Sequence, residues 1–238
     1  RVIGMKIEVW SDYVCPFCYI GKKQLEIALE ELGYGDSIEV EYKSYLLDPT
    51  TPVDTDSSVY EELQRKYQIS LEEVKNMTAN VTARAREVGL DYNFDEMKSA
   101  NTVKAHRLAK WAESEGKGKD FTERVLKAYF LEGKAIGQTD VLLALVNEVN
   151  LSVEKANQVI ENDSYIKEVE QDIAIAQNLG VRGVPFFVID NKYGISGAQP
   201  QDVFEQTIEK AAQEVGLRKP LKMQGNKGAT CTDDSCEI

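Results

Sequence analysis

The 238-residue sequence is poor in the residues that most often bind metals: it has one histidine, His106, and four cysteines in two pairs at opposite ends of the chain. Cys15 and Cys18 stand in "SDYVCPFCYIG", and Cys231 and Cys236 in "ATCTDDSCEI". Separated by most of the chain, with the histidine in between, they offer no compact ligand set for zinc, and neither a metal nor a cofactor is expected. Positive charge is also scarce. The 28 Lys and Arg against 40 Asp and Glu give a formal net charge of −12, which leaves no general phosphate-neutralising surface and excludes nucleic acid as an expected partner. No apolar run approaches the roughly 20 residues of a membrane span. The chain enters an alternating strand pattern without a long apolar stretch before it, so the cytoplasm is the expected location. Arg1 to Gly4 read as residues ahead of a natural start at Met5.

With 42% hydrophobic and 29% charged residues, the chain can bury a sizeable core as a globular protein. Met5, Ile7 and Val9 alternate with Lys6 and Glu8, and "SIEVEYKSYLL" repeats the pattern with Ile38, Val40 and Tyr42. That is the period of half-buried strands. Between them Leu25, Ala28, Leu29 and Leu32 recur at helical spacing, with Gly33 or Gly35 to close the helix. From about residue 57 to 180 the pattern is almost wholly helical. Ser70 and Glu73 form a capping box ahead of Val74, Met77, Val81, Ala85 and Val88, with Gly89 at the end. Asp95, Asp120, Thr139, Ser152 and Ser164 mark further helix starts, and "NTVKAHRLAKWAESEG" reads as one helix carrying both Asn101 and His106. Ile166, Val169, Ile173 and Ala176 give the last helix of the block its apolar face. Strand chemistry then returns in "VPFFVID", a turn at "NK", and "YGIS", followed by a helix from about Pro200 with Phe204, Ile208, Ala211 and Val215 on one side.

A βαβ half and a ββα half therefore flank a helical block. Neither half has enough strands for a stable sheet, so the economical solution is an α/β fold with one sheet built from both halves and the helices inserted as a cap. The expected division is residues 5–56, the helical insertion 57–180, residues 181–217, and a tail 218–238 rich in Lys, Gly, Asp and Thr.

The Cys15–Cys18 pair falls where the first strand gives way to the first helix. A sulfur at that junction lies near the free N–H groups and positive dipole end of the helix, which favour a thiolate. Cys15 is the expected nucleophile, and Cys18, one turn on and more buried, the expected resolving thiol. Pro16 suits the first helical turn, where its missing N–H has no partner. A packed pair of structural thiols and a zinc half-site are the other readings of a bare CxxC.

"VWSDYVCPFCYIGKKQLE" resembles the active-site entry of the DsbA family of thioredoxin-fold oxidoreductases, and "NLGVRGVPFFVIDNKYGISGAQP" resembles the family's segment before its last strands. With "NTVKAHRLAKWA" and the tail "CTDDSC", the chain is similar to the FrnE-like branch over residues 5 to 238. The resemblance implies a thioredoxin fold with a large all-helical insertion, a nucleophilic first cysteine and a cis peptide before Pro185. The Val184 backbone would then lie beside Cys15 and offer hydrogen bonds to a substrate backbone, with Pro16 and Phe17 completing the contact surface. Without Cys15, "GVPFF" would read as an ordinary turn into an edge strand.

The chain departs from the DsbA pattern at Phe17, which replaces a histidine between the cysteines and should make the couple less oxidising. A cytoplasmic thiol pool would favour disulfide reduction or isomerisation. Expected partners are protein or small-molecule thiols and disulfides, with glutathione or a thioredoxin-type reductant as electron donor, and the chain is expected to be a monomer. Two other functions compete. Kappa-class glutathione transferases and 2-hydroxychromene-2-carboxylate isomerases resemble this architecture but use a serine where this chain has Cys15, and a non-enzymatic zinc- or partner-binding module could use both cysteine pairs. On the helix assigned to them, Asn101 and His106 lie roughly 140° apart, so the two candidate site-lining residues cannot face one spot. Asp12 and Tyr13 are better placed, although an unscreened Asp12 would raise a neighbouring thiol's pKa. Cys231 and Cys236 form a candidate secondary redox pair. A flexible linker from Arg218 to Thr230 would span about 20 Å, comparable with the roughly 18 Å radius of gyration expected for the chain.

Overall fold

The computed structural model describes residues 4–219 and, in the tail, the backbone of residues 230–231 and 236–237. The alternating segment Met5–Ser11 is strand β1, followed by helix α1 (Pro16–Leu32) and strand β2 (Ile38–Ser44). β1 and β2 pair in parallel from Met5 opposite Ile38 to Ser11 opposite Ser44, with α1 as the crossover. Late in the chain come β3 (Phe186–Ile189), β4 (Tyr193–Ser196) and helix α9 (Gln201–Glu214). β3 runs antiparallel to both β1 and β4, so the sheet order is β2-β1-β3-β4 and the two ends of the chain share one sheet. The turn between β3 and β4 is one residue earlier than "NK": Asp190 and Asn191 both hold φ above +50° and Lys192 N–H closes onto Ile189 O at 3.0 Å. Asp and Asn tolerate that left-handed pair, and the resulting twist matches the strands.

Between the halves lie α2 (Val59–Tyr67), α3 (Leu71–Glu87), α4 (Val103–Ser114), α5 (Gly118–Phe130), α6 (Thr139–Glu148), α7 (Val153–Glu161) and α8 (Ile166–Asn178). Ser70 and Glu73 make their capping box, Ser152 accepts from Lys155 N–H at 3.3 Å, and a second box, Ser58 with Glu61, starts α2. Other expected starts are displaced. Asp95 instead accepts from the Tyr60 hydroxyl, Asp120 and Thr139 sit inside the first turns of α5 and α6, and α8 begins after Tyr165 in left-handed backbone. Asn101 is not helical. Its Oδ1 accepts from Val103 N–H at 3.1 Å, a local turn that competes with helix and delays α4 to Val103.

Two main hydrophobic cores meet along α1. Leu25, Ala28 and Leu29 pack with Ile7, Val9, Phe187 and Phe204 under the sheet, while Tyr19 and Ile20 belong to the core of the helical block with Leu108, Phe121 and Phe130. The buried Lys22 reinforces this second attachment by pairing with Glu123 of α5, to which the Tyr19 hydroxyl donates at 2.7 Å. On the other face, α8 covers the sheet. Trp10 Nε1 donates to Asp172 O, and the Asp172 carboxylate accepts from Ser44 N–H at 2.8 Å and pairs with Lys110 at 2.6 Å. The end of β1 and the start of α1, where the cysteines sit, are thus held from three sides.

Gly21 is the point of closest approach within α1. A Cβ there would lie 3.0 Å from the Phe187 ring and 3.1 Å from Pro185 Cγ, and Phe187 is itself locked edge-on against Phe204. Gly21→Val is expected to destabilise the protein by about 2 kcal/mol through overpacking, read as a lower urea midpoint. Gly21→Ala should cost less, because roughly 1 kcal/mol of helix propensity offsets its smaller intrusion.

Candidate active site

β1 stops at Ser11, and Asp12, Tyr13 and Val14 turn the chain so that Cys15 N–H reaches Asp12 O at 3.1 Å. Cys15 is the N-cap of α1 in extended backbone, Pro16 holds the first helical position, and Cys18 N–H closes the first turn onto Cys15 O at 3.0 Å. Both thiols are free and buried, Cys15 at 4% exposure and Cys18 at 1%. The cis peptide Val184–Pro185 lies across from them, and Cys15 Sγ is 3.5 Å from Val184 O. Burial pushes the Cys18 thiol well above its ordinary value and the adjacent Cys15 adds to this, opposed more weakly by the Asp12 backbone and the Ser11 side chain.

The supporting side chains come from the helical block. Tyr92 donates to Pro16 O at 2.6 Å, and the Arg84 guanidinium lies 5.0 Å from the centre of the Phe17 ring while donating to Ala198 O at 2.9 Å. Arg84 therefore links the residue between the cysteines to the loop after β4. Beneath the turn, Asp12 is 1% exposed. Its Oδ2 accepts from Leu47 N–H at 2.8 Å, and its Oδ1 accepts from the Thr102 hydroxyl at 2.7 Å and lies 3.1 Å from His106 Nε2. Tyr13 completes the group, its ring 4.8 Å from that of His106 and its hydroxyl 3.2 Å from Thr122 Oγ1.

Of the expected site residues, Cys15, Cys18, Pro16, Phe17, Val184 and Pro185 converge on one place. His106 joins them indirectly through Asp12. Asn101 does not: its side chain bonds Thr51 O at 2.8 Å and Val103 N–H, fixing the loop after β2. In the tail, the backbone pairs β5 (Thr230–Cys231) with β6 (Cys236–Glu237), Cys231 opposite Cys236. The side chains of this pair lie outside the described residues. Ser11, Tyr92, Arg84 and Thr102 are the supporting residues that sequence patterning did not single out. Ser11 could have been found from the strand period, which points it to the same face as Val9 and hence toward α1.

The family model for the DSBA-like thioredoxin domain matches residues 6–209. The chain belongs to this family. It is 30% identical over 204 residues to the uncharacterised protein YwbO of Bacillus subtilis, an alignment covering 85% of this chain and 94% of that protein. Among solved structures, a probable DsbA oxidoreductase from Streptomyces coelicolor is 33% identical, superposes with a TM-score of 0.84, and the match covers 98% and 99% of the two chains. The cytosolic disulfide reductase DsbM from Pseudomonas aeruginosa, solved with GSH, shares the fold at a TM-score of 0.63 and 18% identity, with 87% and 99% covered. DsbA-like family membership makes the CPFC segment at the head of α1 the place to look for thiol–disulfide chemistry.

Proposed function

We propose that the protein is a disulfide reductase or isomerase of the cytoplasm that acts through Cys15 and Cys18. The observation that carries this reading is the position of Cys15 at the N-cap of α1, 3.5 Å from Val184 O, with the more deeply buried Cys18 one turn behind it. In the proposed reaction the Cys15 thiolate attacks a substrate disulfide, forms a Cys15–substrate mixed disulfide and releases the first substrate thiolate. Cys18 then attacks Cys15 sulfur, releases the second, and leaves the Cys15–Cys18 disulfide two electrons more oxidised. A dithiol or two molecules of glutathione return it to the reduced state. The Val184 backbone, Pro185, Pro16 and Phe17 form the substrate contact. Phe17 between the cysteines supports the reducing direction, since no cationic side chain stabilises a thiolate from that position. The GSH complex of DsbM, a cytosolic reductase of the same fold, supports glutathione as donor and the cytoplasm as location. Cys231 and Cys236 are proposed as a second pair that Cys15 can reduce, and Asp233 and Asp234 between them make the tail thiols the weaker attackers.

Insulin reduction and metal content measured on one sample test this reading. Activity that Cys15→Ser abolishes supports it. One equivalent of zinc with no reductase activity would replace it with the binding module, and isomerisation of 2-hydroxychromene-2-carboxylate, or conjugation of glutathione to a substrate that is not a disulfide, surviving in Cys18→Ser would replace it with the kappa-type transferase chemistry.

A further inference from the structure

Arg84 of α3 bridges the two segments that face each other across the dithiol. On one side its guanidinium lies over Phe17, 5.0 Å from the ring centre, and Phe17 stands between the cysteines. On the other its Nη2 donates to Ala198 O at 2.9 Å. The loop that carries Ala198 is itself fastened beside the cleft, since Gly197 N–H donates to Pro185 O at 2.8 Å and Gln24 Nε2 of α1 donates to Gln199 O at 2.7 Å. A planar guanidinium holds both contacts at once, one through its face and one through its edge. Arg65, Arg86, Arg107 and Arg124 each pair with a carboxylate of the chain. Arg84 is exposed, pairs with no Asp or Glu among the described residues, and has Nε and Nη1 without a hydrogen-bond partner among them.

From this geometry we infer that Arg84 is a substrate-binding residue that takes a carboxylate of a small-molecule disulfide seated at Cys15, and so favours anionic disulfides of the glutathione type over neutral and cationic ones. The inference deepens the thiol–disulfide reading and rests on it. A guanidinium fork matches a carboxylate with two parallel N–H donors, and this fork is already held in place by Phe17 and Ala198, so little ordering is left to lose on binding. The rest of the molecule works against such a ligand. At a net charge of −12 the protein as a whole repels an anion, and a fixed cation beside the dithiol supplies the local attraction that the overall field does not. Arg84 makes and breaks no covalent bond. The Cys15 thiolate attacks one sulfur of the disulfide, the other leaves as a thiolate, and the carboxylate of the half now joined to Cys15 stays on Arg84.

The test compares three disulfides with the reduced full-length protein: dithiobis-nitrobenzoate, whose rings carry carboxylates, neutral dithiodipyridine, and dicationic cystamine. Rates of Cys15 oxidation are read by rapid quench, alkylation of the remaining thiols and peptide mapping. Each rate is taken relative to that of the neutral disulfide in the same variant, so that any change in Cys15 itself cancels. The carboxylate-to-neutral ratio is expected to be about five- to tenfold lower in Arg84→Gln than in wild type, the range between an exposed ion pair and a hydrogen-bonded charge. Arg84→Glu should lower it further and raise the cystamine-to-neutral ratio about threefold or more. In the wild type the carboxylate preference should also fade as ionic strength rises, since exposed charges are screened beyond roughly 8–10 Å. A carboxylate-to-neutral ratio in Arg84→Gln within about twofold of wild type, with all three disulfides still reduced, would overturn the role of Arg84 and leave it a strut between Phe17 and Ala198. Failure of the wild type to reduce any of the three would instead sink the exchange reading, and the role of Arg84 with it.

Discussion

The Cys18→Ser protein should react once with a disulfide substrate and then stop with half of that substrate attached to Cys15. Without Cys18 the mixed disulfide has no thiol beside it to resolve it, and the adduct persists until a thiol of the tail pair or an external one attacks. Cys15→Ser should form no adduct and lose turnover by roughly a thousandfold or more, as removal of a nucleophile does. Intact mass and peptide mapping check both results, and an adduct found on Cys18 of Cys15→Ser at a rate near that of the wild type would reverse the assignment. The burial-raised Cys18 adds a pH signature. Iodoacetamide at neutral pH should label Cys15 first, and Cys18 should become reactive only above the ordinary thiol range of about 8.5. The sign for stability follows from the same shift. The folded reduced protein keeps the Cys18 proton where the unfolded chain has lost it, so the stability this contributes is full below about pH 8.5 and declines as pH rises toward the raised folded value.

The strands and the thiol pair were legible in the sequence because their signals are local. Alternation of Met5, Ile7 and Val9 with Lys6 and Glu8 leaves one way for β1 to bury a face, and Pro16 beside Cys15 marks the helix start. Order along the chain also carried the split sheet, since two halves short of strands have to share one. Tertiary contacts were less accessible. Asp12 and His106 are 94 residues apart, and no periodicity links the end of a strand to a helix of the insertion. A buried acid requires donors, which is a reason to search for them but does not say where they come from. Asn101 reads as part of a helix because its neighbours continue the helical pattern. Its own side chain bonds Val103 N–H instead and starts the helix two residues later. The box at Ser58 and Glu61 was visible as a motif, but α2 buries none of its residues, and so the hydrophobic stripe that draws attention to a helix is missing there.

Asp12→Ala should be among the most destabilising single substitutions in this fold, and Asp12→Asn should be nearly silent. The carboxyl group receives three donors in a place with 1% exposure. Alanine would leave Leu47 N–H, the Thr102 hydroxyl and His106 Nε2 competing for nothing, and buried polar groups stripped of a charged partner cost about 3–5 kcal/mol together. For a chain of this length that corresponds to a melting temperature lower by roughly 10 °C. Asparagine can satisfy the same three groups. Its oxygen in place of Oδ2 accepts from Leu47 N–H, and its NH2 in place of Oδ1 donates to Thr102 Oγ1 and, once His106 carries its proton on Nδ1, to Nε2. The expected loss is below about 1 kcal/mol. Thermal melts of the two variants decide the point, and NMR of the His106 ring should show the tautomer change in Asp12→Asn. Because the Asp12 side chain anchors the turn whose backbone carbonyl, Asp12 O, holds Cys15 N–H at 3.1 Å, loosening that turn in the alanine variant should cost disulfide exchange along with stability, whereas the asparagine variant should keep both. Equal destabilisation by the two substitutions would mean that the negative charge at Asp12, and not its acceptor geometry, anchors the turn that carries Cys15.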